Sequence, residues 1–440
     1  MTTYWCEHAV VDGVVVDGVI VEVADGAITS VRSDEPPGAA VRLAGLTLPG
    51  FANCHSHAFH RALRTRTQQG NGSFWTWREQ MYALAARLEP DTYYALARAV
   101  YQEMAAAGFT SVGEFHYVHH SSDGSPYDDA NAMGSAMIAA ARDAGIRIAL
   151  LDTCYLASGI GTAPEGVQRR FSDRDAEGWQ DRVEKLTSQP DKAVVIGAAI
   201  HSVRAVPRQA LSVVAAWAQA TDRPLHVHLS EQVAENDACR SAYGRTPTEL
   251  LSDAGVLGPM SSAVHATHLT EHDIALLGGF STRACFCPTT ERDLGDGIGP
   301  SLALQAAGSL LTLGSDSHAV IDPFEEMRAV ELDERLASQL RGRWSAAQLL
   351  AAGTSTGHAS LGFADAGRIA PGARADLVTL DLATPRTAGG GSSLENVVFA
   401  ATSADVVHVV CDGRVVATRD DHNSIGNELE SAVAKAWGDG

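Results

Sequence analysis

The sequence predicts a (β/α)8 TIM barrel, of class α/β, carrying a small β-sandwich domain built from both chain termini. Between residues 49 and 364, β-branched strand segments alternate with alanine-rich helical ones, the pattern of a parallel sheet covered by helices. Outside that span, both ends show β-branched runs broken by Asp-Gly and Gly-Ala steps, which read as hairpin turns. No Gly-x-Gly-x-x-Gly follows the first strand, so an open dinucleotide-binding sheet is the poorer fit.

In chain order, residues 1–48 contain VVDGVVVDGVIVEVADGAITSVRS, and residues 365–422 repeat the same grammar in GRIAPGARADLVTLDL and ADVVHVVCDGRVVATRD. The two stretches are expected to share one small sheet domain. Eight strand candidates fill the span between them: LTLPGFANCHSH, TSVGEFHYV, RIALLDTCY, AVVIGAAIHS, PLHVHLSE, SAVHATHL, FSTRACFCPTT and SLLTLGSDSH. Helices are expected at 91–107, 130–144, 207–220 and 323–339, and residues 423–440 as a C-terminal helix or tail.

The chain has 440 residues, and surface scaling gives it a folded area of roughly 16,000 Å², enough burial for a large core. Its formal charge of −20 repels phosphate backbones and anionic membranes, which argues against nucleic acid as a partner. No apolar run reaches the roughly 18 residues of a membrane helix, and the start, MTTYWCEHAVV, lacks a basic segment before an apolar core. A cytoplasmic protein without membrane attachment is expected. The seven cysteines are scattered and odd in number, which fits reduced thiols; Cys285 and Cys287 read as buried strand filler.

Chemistry in such a barrel sits where strands end at the C-terminal face. There the first strand offers His55 and His57, whose spacing of two puts both imidazoles on one side. The fifth offers His226-Val227-His228 and then Glu231, the sixth His265, and the eighth Asp316 within Gly314-Ser315-Asp316-Ser317-His318. An isolated His-x-His is equally well explained by buried rings bonded to carbonyls. Four strand ends with metal-compatible or proton-transferring groups are not. Imidazoles and carboxylates without thiolate suit zinc, although iron, manganese or nickel can use the same set.

PGFANCHSH, HVHLSE, VHATH, GSDSH and ARADLVTLD, in this order, resemble the amidohydrolase superfamily over nearly the whole chain. The resemblance implies one divalent metal, most simply zinc, held by His55, His57, His228 and Asp316, with Glu231, His265 and Asp316 handling protons. Some members bridge two metals with a carboxylated lysine on the fourth strand. The lysines here are Lys185, Lys192 and Lys435, and the fourth strand ends at His201, so the mononuclear deaminase-type branch is implied.

HSHAFHRAL, SFWTWREQMY, EFHYVHH, IHSVRAV and CPTTERDLGDGIGP are more specific and resemble formimidoylglutamate deiminases. That similarity implies deimination of N-formimidoyl-L-glutamate to N-formyl-L-glutamate and ammonia in histidine degradation. It also implies substrate contacts from His60, Arg78, Tyr117, His201 and Arg204. Large barrels of this kind are often dimers, so a homodimer is expected. His60 stands where family members carry glutamine, which would exchange an amide for an ionisable ring. Independently, a dicarboxylate amidine substrate in a chain of this charge calls for arginine forks, and Arg78 and Arg204 are well placed for them. The alternative is an aminohydrolase of a nucleobase-like ring, guanine deaminase-like, or of another amidine, which would favour aromatic stacking over paired arginines. His116, His119 and His120 read as solvated loop residues.

Overall fold

The computed structural model describes residues 1–68, 72, 74–186 and 191–438. Four N-terminal strands come first: β1 (Thr2–Val11), β2 (Val14–Ala24), β3 (Ala27–Arg32) and β4 (Val41–Pro49). Their hairpins turn at Asp12-Gly13 and Asp25-Gly26, where all four residues have positive φ between 51° and 80°, as a two-residue type I′ turn demands. Asp17-Gly18 does not turn. Gly18 lies inside β2 at φ 58°, and a Cβ there would come within 3.1 Å of the Glu35 carbonyl oxygen.

The expected first barrel strand is divided at Pro49-Gly50. Residues before the break pair with β1; those after it form β5 (Phe51–Ser56) and enter a different sheet. Gly50 is required at the crossing, since a Cβ would lie 2.4 Å from Thr110 Oγ1 and 2.9 Å from Asp376 Cβ.

From β5 the chain alternates through β6 (Phe109–His116), β7 (Arg147–Cys154), β8 (Val194–Ile200), β9 (Leu225–Leu229), β10 (Ser261–His265), β11 (Arg283–Phe286) and β12 (Leu311–Leu313). These eight strands are parallel and hydrogen-bonded in sequence order. The ring closes where Ser315 N and Asp316 N donate to His55 O at 3.1 and 3.0 Å, and His57 N to Asp316 O at 3.3 Å. The protein is therefore a (β/α)8 barrel. The expected helices appear as Pro90–Ala107, Ala132–Ala144, Arg208–Thr221 and Pro323–Ser338. Pro90 opens the first of these and Gly108, at φ 105°, ends it.

Three C-terminal strands, β13 (Leu377–Leu380), β14 (Val406–Cys411) and β15 (Arg414–Thr418), extend the N-terminal sheet in the order β15-β14-β13-β4-β1-β2-β3. Neighbours are antiparallel except β1 and β4. The sheet folds back on itself, so Tyr4, Val19 and Val21 share an apolar cluster with Leu377 and Val410. Arg147 ties it to the barrel: wholly buried at the start of β7, it donates to Asp376 and, at 3.0 Å, to Asp412. The helix His422–Trp437 packs on Pro90–Ala107 through the Arg98–Glu428 ion pair at 2.8 Å, and positions 439 and 440 lie outside the described residues. The accessible surface of 16441 Å² agrees with the value expected from chain mass. Among the described residues no helix is long and apolar enough to cross a membrane.

Candidate active site

Because the barrel strands are parallel, their C-terminal ends open on one face, and the polar residues gather there. His55 lies in β5 with His57 just beyond it, His228 in β9, His265 at the end of β10, and Asp316 just beyond β12. The backbone there is unusual: Ser230, His265, Ala266 and Asp316 have φ of 51°, 68°, 48° and 39°. Such left-handed conformations cost a non-glycine residue on the order of 1–3 kcal/mol and persist where surrounding contacts enforce them.

The side chains converge. Asp316 Oδ1 lies 3.3 Å from His55 Nε2 and 3.4 Å from His57 Nε2, and His228 Nε2 lies 3.1 Å from His55 Nε2. The ligand atoms of His55, His57 and Asp316 fall within 4.8 Å of one another, as do those of His55, His228 and His265. His57 Nδ1 donates to Phe115 O at 2.9 Å and His228 Nδ1 to His201 O at 2.8 Å. A carbonyl only accepts, so the proton sits on Nδ1 and each Nε2 presents its lone pair inward, as metal-binding imidazoles require. These residues can hold a divalent cation.

Electrostatics supports that arrangement. Burial lowers all three imidazoles, His57 to about 3 with the neighbouring His55 adding to the effect, so they stay neutral. Burial alone would raise Asp316, but His55, His265 and His57 outweigh it and hold the carboxyl below the usual carboxylate range. His265 goes the other way. Burial disfavours its charge, yet Glu231, the Glu291 hydrogen bond and Asp316 raise it well above the ordinary histidine value. Its Nε2 lies 4.0 Å from Glu231 Oε1 and its Nδ1 3.3 Å from Glu291 Oε1.

A cavity of about 690 Å³ opens above this cluster. His60, Arg78, Tyr117, His201 and Arg204 all line it. So do His57, His228, Glu231, His265 and Asp316, while His55 is fully buried beneath. The His60 ring shares a hydrogen bond with the Tyr117 hydroxyl at 3.0 Å, and burial holds it far below the usual histidine range. Burial thus favours its neutral form. The Arg78 guanidinium lies 5.5 Å from the Tyr82 ring centroid.

Three features were not evident in the sequence. Arg204 lies between two carboxylates, Glu231 at 3.5 Å and Glu235 at 3.3 Å, and burial raises Glu235 to about 7 against the pull of that arginine. Glu291 orients His265, although its position inside CPTTERDLGDGIGP is a signal. His116, His119 and His120 are buried rather than solvated. His119 bonds Thr153 O at 2.9 Å and His120 pairs with Asp173 at 3.1 Å in a network completed by Arg182 and Asp152. His226 bonds Ser360 O at 3.3 Å, which leaves His228 as the histidine of that pair in the site. Cys285 and Cys287 are buried, as expected.

The sequence matches the amidohydrolase family over residues 46–416. The chain belongs to the amidohydrolase family. It is 38% identical to a formimidoylglutamate deiminase of Pseudomonas aeruginosa, over 91% of this chain and 90% of that one. The structure of an amidohydrolase from Brucella melitensis superposes with a TM-score of 0.88 and 30% identity, covering 99% of this chain and 100% of the other. That of a Xanthomonas campestris adenosine deaminase with bound zinc does so at 0.85 and 23% identity, covering 99% and 98%.

Proposed function

We propose that this amidohydrolase converts N-formimidoyl-L-glutamate and water to N-formyl-L-glutamate and ammonia, a step of histidine degradation. The observation that carries this reading is one cavity holding both the histidine–aspartate cluster and two arginines, Arg78 and Arg204. The likeness to the Pseudomonas enzyme supports it.

His55, His57, His228 and Asp316 would hold one zinc ion; their ligand atoms cluster, and the structurally similar Xanthomonas campestris adenosine deaminase carries bound zinc. When bound, the ion acts as a Lewis acid that lowers the pKa of water toward neutrality. Asp316 Oδ2, turned to His265 at 3.9 Å, takes a proton from the attacking water. His265, held as imidazolium by its acidic neighbours, stabilises the charge that develops on the attacking oxygen. Glu231 accepts hydrogen bonds from the amidinium N–H groups, takes up the other proton of the attacking water and passes it to the departing nitrogen. A carbon–oxygen bond forms, the carbon–nitrogen bond breaks, and ammonia leaves with the formyl group still on glutamate. Arg78 and Arg204 receive the two carboxylates, Arg204 exchanging its contact with Glu235 for one of them. Tyr117, His60 and His201 complete the walls.

A nucleobase-like substrate is the second reading, favoured by the aromatic wall of Trp77, Tyr82, Tyr155 and Phe171. Incubating zinc-loaded protein with N-formimidoyl-L-glutamate and, separately, with guanine distinguishes the two. Ammonia release from the first alone is expected; release from guanine alone would replace the reading.

A further inference from the structure

Behind the cluster, on the side away from the cavity, runs a chain of hydrogen bonds whose directions follow one from the next when Glu114 is ionised. It begins at Glu114 in β6, which has no exposed surface; burial raises its carboxyl to about 7 against the Ser56 and Ala58 hydrogen bonds, and in its ionised form it only accepts. Its Oε1 accepts from Ala58 N at 2.8 Å and its Oε2 from Ser56 Oγ at 2.7 Å. With its proton committed to the carboxylate, Ser56 Oγ accepts from His318 Nε2–H at 3.1 Å. That fixes the His318 tautomer. Nδ1 of the same ring is then an acceptor, and takes the Ser315 Oγ–H at 3.0 Å. Ser315 Oγ accepts in turn from Asn53 Nδ2 at 2.6 Å, while Asn53 Oδ1 receives the Ser315 N–H at 3.0 Å. Every side-chain donor thus points toward Glu114, an arrangement in which each bond polarises the next.

The placement of this chain matters more than its length. Ser56 stands between His55 and His57, and Ser315 and His318 bracket Asp316. Three of the four residues that would hold the ion come from β5 and the end of β12, and these strands meet at the barrel seam. There the pairing reduces to one isolated bridge, Ser56 with Asp316, in place of a ladder. On the β12 side the chain leaves the strand through Asp316 and His318 at φ 39° and 57°, conformations that must be held from outside. The His318 carbonyl is itself fixed by Arg64 Nε at 2.7 Å. Asn53, Ser56, Glu114, Ser315 and His318 are all buried, and none lines the cavity.

We propose that Glu114, Ser56, His318, Ser315 and Asn53 form a directed hydrogen-bond relay that sets the separation of the two ligand-bearing strand ends, and with it the affinity for the metal. These are positioning residues acting through His55, His57 and Asp316. The proposal rests on the reading that those residues hold a zinc ion.

The test compares zinc binding by the full-length wild type with Glu114→Gln and Ser56→Ala. Gln offers one acceptor oxygen where two donors converge, and Ala removes a link while changing the packing by one oxygen atom. Zinc affinity is measured by competition with a chromogenic chelator, and melting temperature with and without zinc. The relay predicts affinity weakened about 10- to 100-fold in each variant. It also predicts a smaller rise in melting temperature on zinc addition, and a double variant little worse than either single one, because both break the same chain. Affinities within twofold of wild type, with both melting temperatures lowered equally, would reduce the chain to ordinary packing and overturn the relay alone. A wild type that takes up no zinc overturns the metal reading and the relay with it.

Discussion

Asp316 Oδ2 lies 3.9 Å from His265 Nε2, while its other oxygen faces His55 and His57 at 3.3 and 3.4 Å. One carboxylate thus serves two neighbourhoods. Oδ1 completes the group able to hold a cation; Oδ2 faces the imidazole that Glu231 also approaches, at 4.0 Å. Proton donor, acceptor and cation ligand are joined over a few ångströms, which is what an addition–elimination at an amidine carbon needs.

Glu231→Gln keeps the shape of the side chain and removes its proton affinity. Since Glu231 is outside the clustered ligand groups, zinc content by atomic absorption stays at the wild-type level while kcat falls about 10²- to 10⁴-fold. Unchanged turnover would remove Glu231 from the chemistry.

Arg78→Met removes a guanidinium from the cavity wall. A charge-assisted hydrogen bond contributes about 1.5–3 kcal/mol, so KM for N-formimidoyl-L-glutamate rises about 10- to 100-fold with little change in kcat. Initial-rate kinetics with an unchanged KM would show that Arg78 does not hold a substrate carboxylate.

Dialysis against a chelator abolishes turnover, and zinc restores it. The apoprotein keeps its far-ultraviolet circular dichroism, because the barrel core of Phe51, Leu150, Ile200 and Val264 is buried independently of the ligand cluster. Full activity in protein shown to be free of metal would contradict the proposed ligand roles.

Asp173 links Arg182 at 2.8 Å and His120 at 3.1 Å in a buried network. Burial opposes its charge, but the His120 and Arg182 hydrogen bonds and the Arg182 charge hold its carboxyl below the usual range. A depressed folded pKa stabilises above the unfolded value of about 3.9 and ceases to do so as pH falls through the folded value. Asp173→Asn therefore lowers stability by about 3–5 kcal/mol at pH 7, and the difference from wild type narrows below about pH 4. Urea unfolding at both pH values checks this; a pH-independent difference would exclude the ionised pair as its cause.

Much of the site was legible because a parallel barrel delivers every strand end to one face, so a polar residue at the end of a strand is already placed. His55, His57, His228, His265 and Asp316 needed only that rule. Asp12-Gly13 and Asp25-Gly26 declared their turns through local backbone chemistry, whereas Asp17-Gly18 did not turn because its surroundings are set by Glu35, a tertiary contact. The break at Gly50 was hidden for the same reason: the partners that demand it, Thr110 and Asp376, are remote in sequence. Glu235 and Glu291 act on Arg204 and His265 across the fold, and His116, His119 and His120 are covered by Arg182 and its aspartates. No periodicity reports such partners.

The central claim, hydrolytic release of ammonia at a histidine–aspartate metal cluster, is tested most directly with N-formimidoyl-L-glutamate in oxygen-18 water. The account predicts N-formyl-L-glutamate carrying one heavy oxygen, with one equivalent of ammonia. Glutamate with formamide, or unlabelled product, would contradict it.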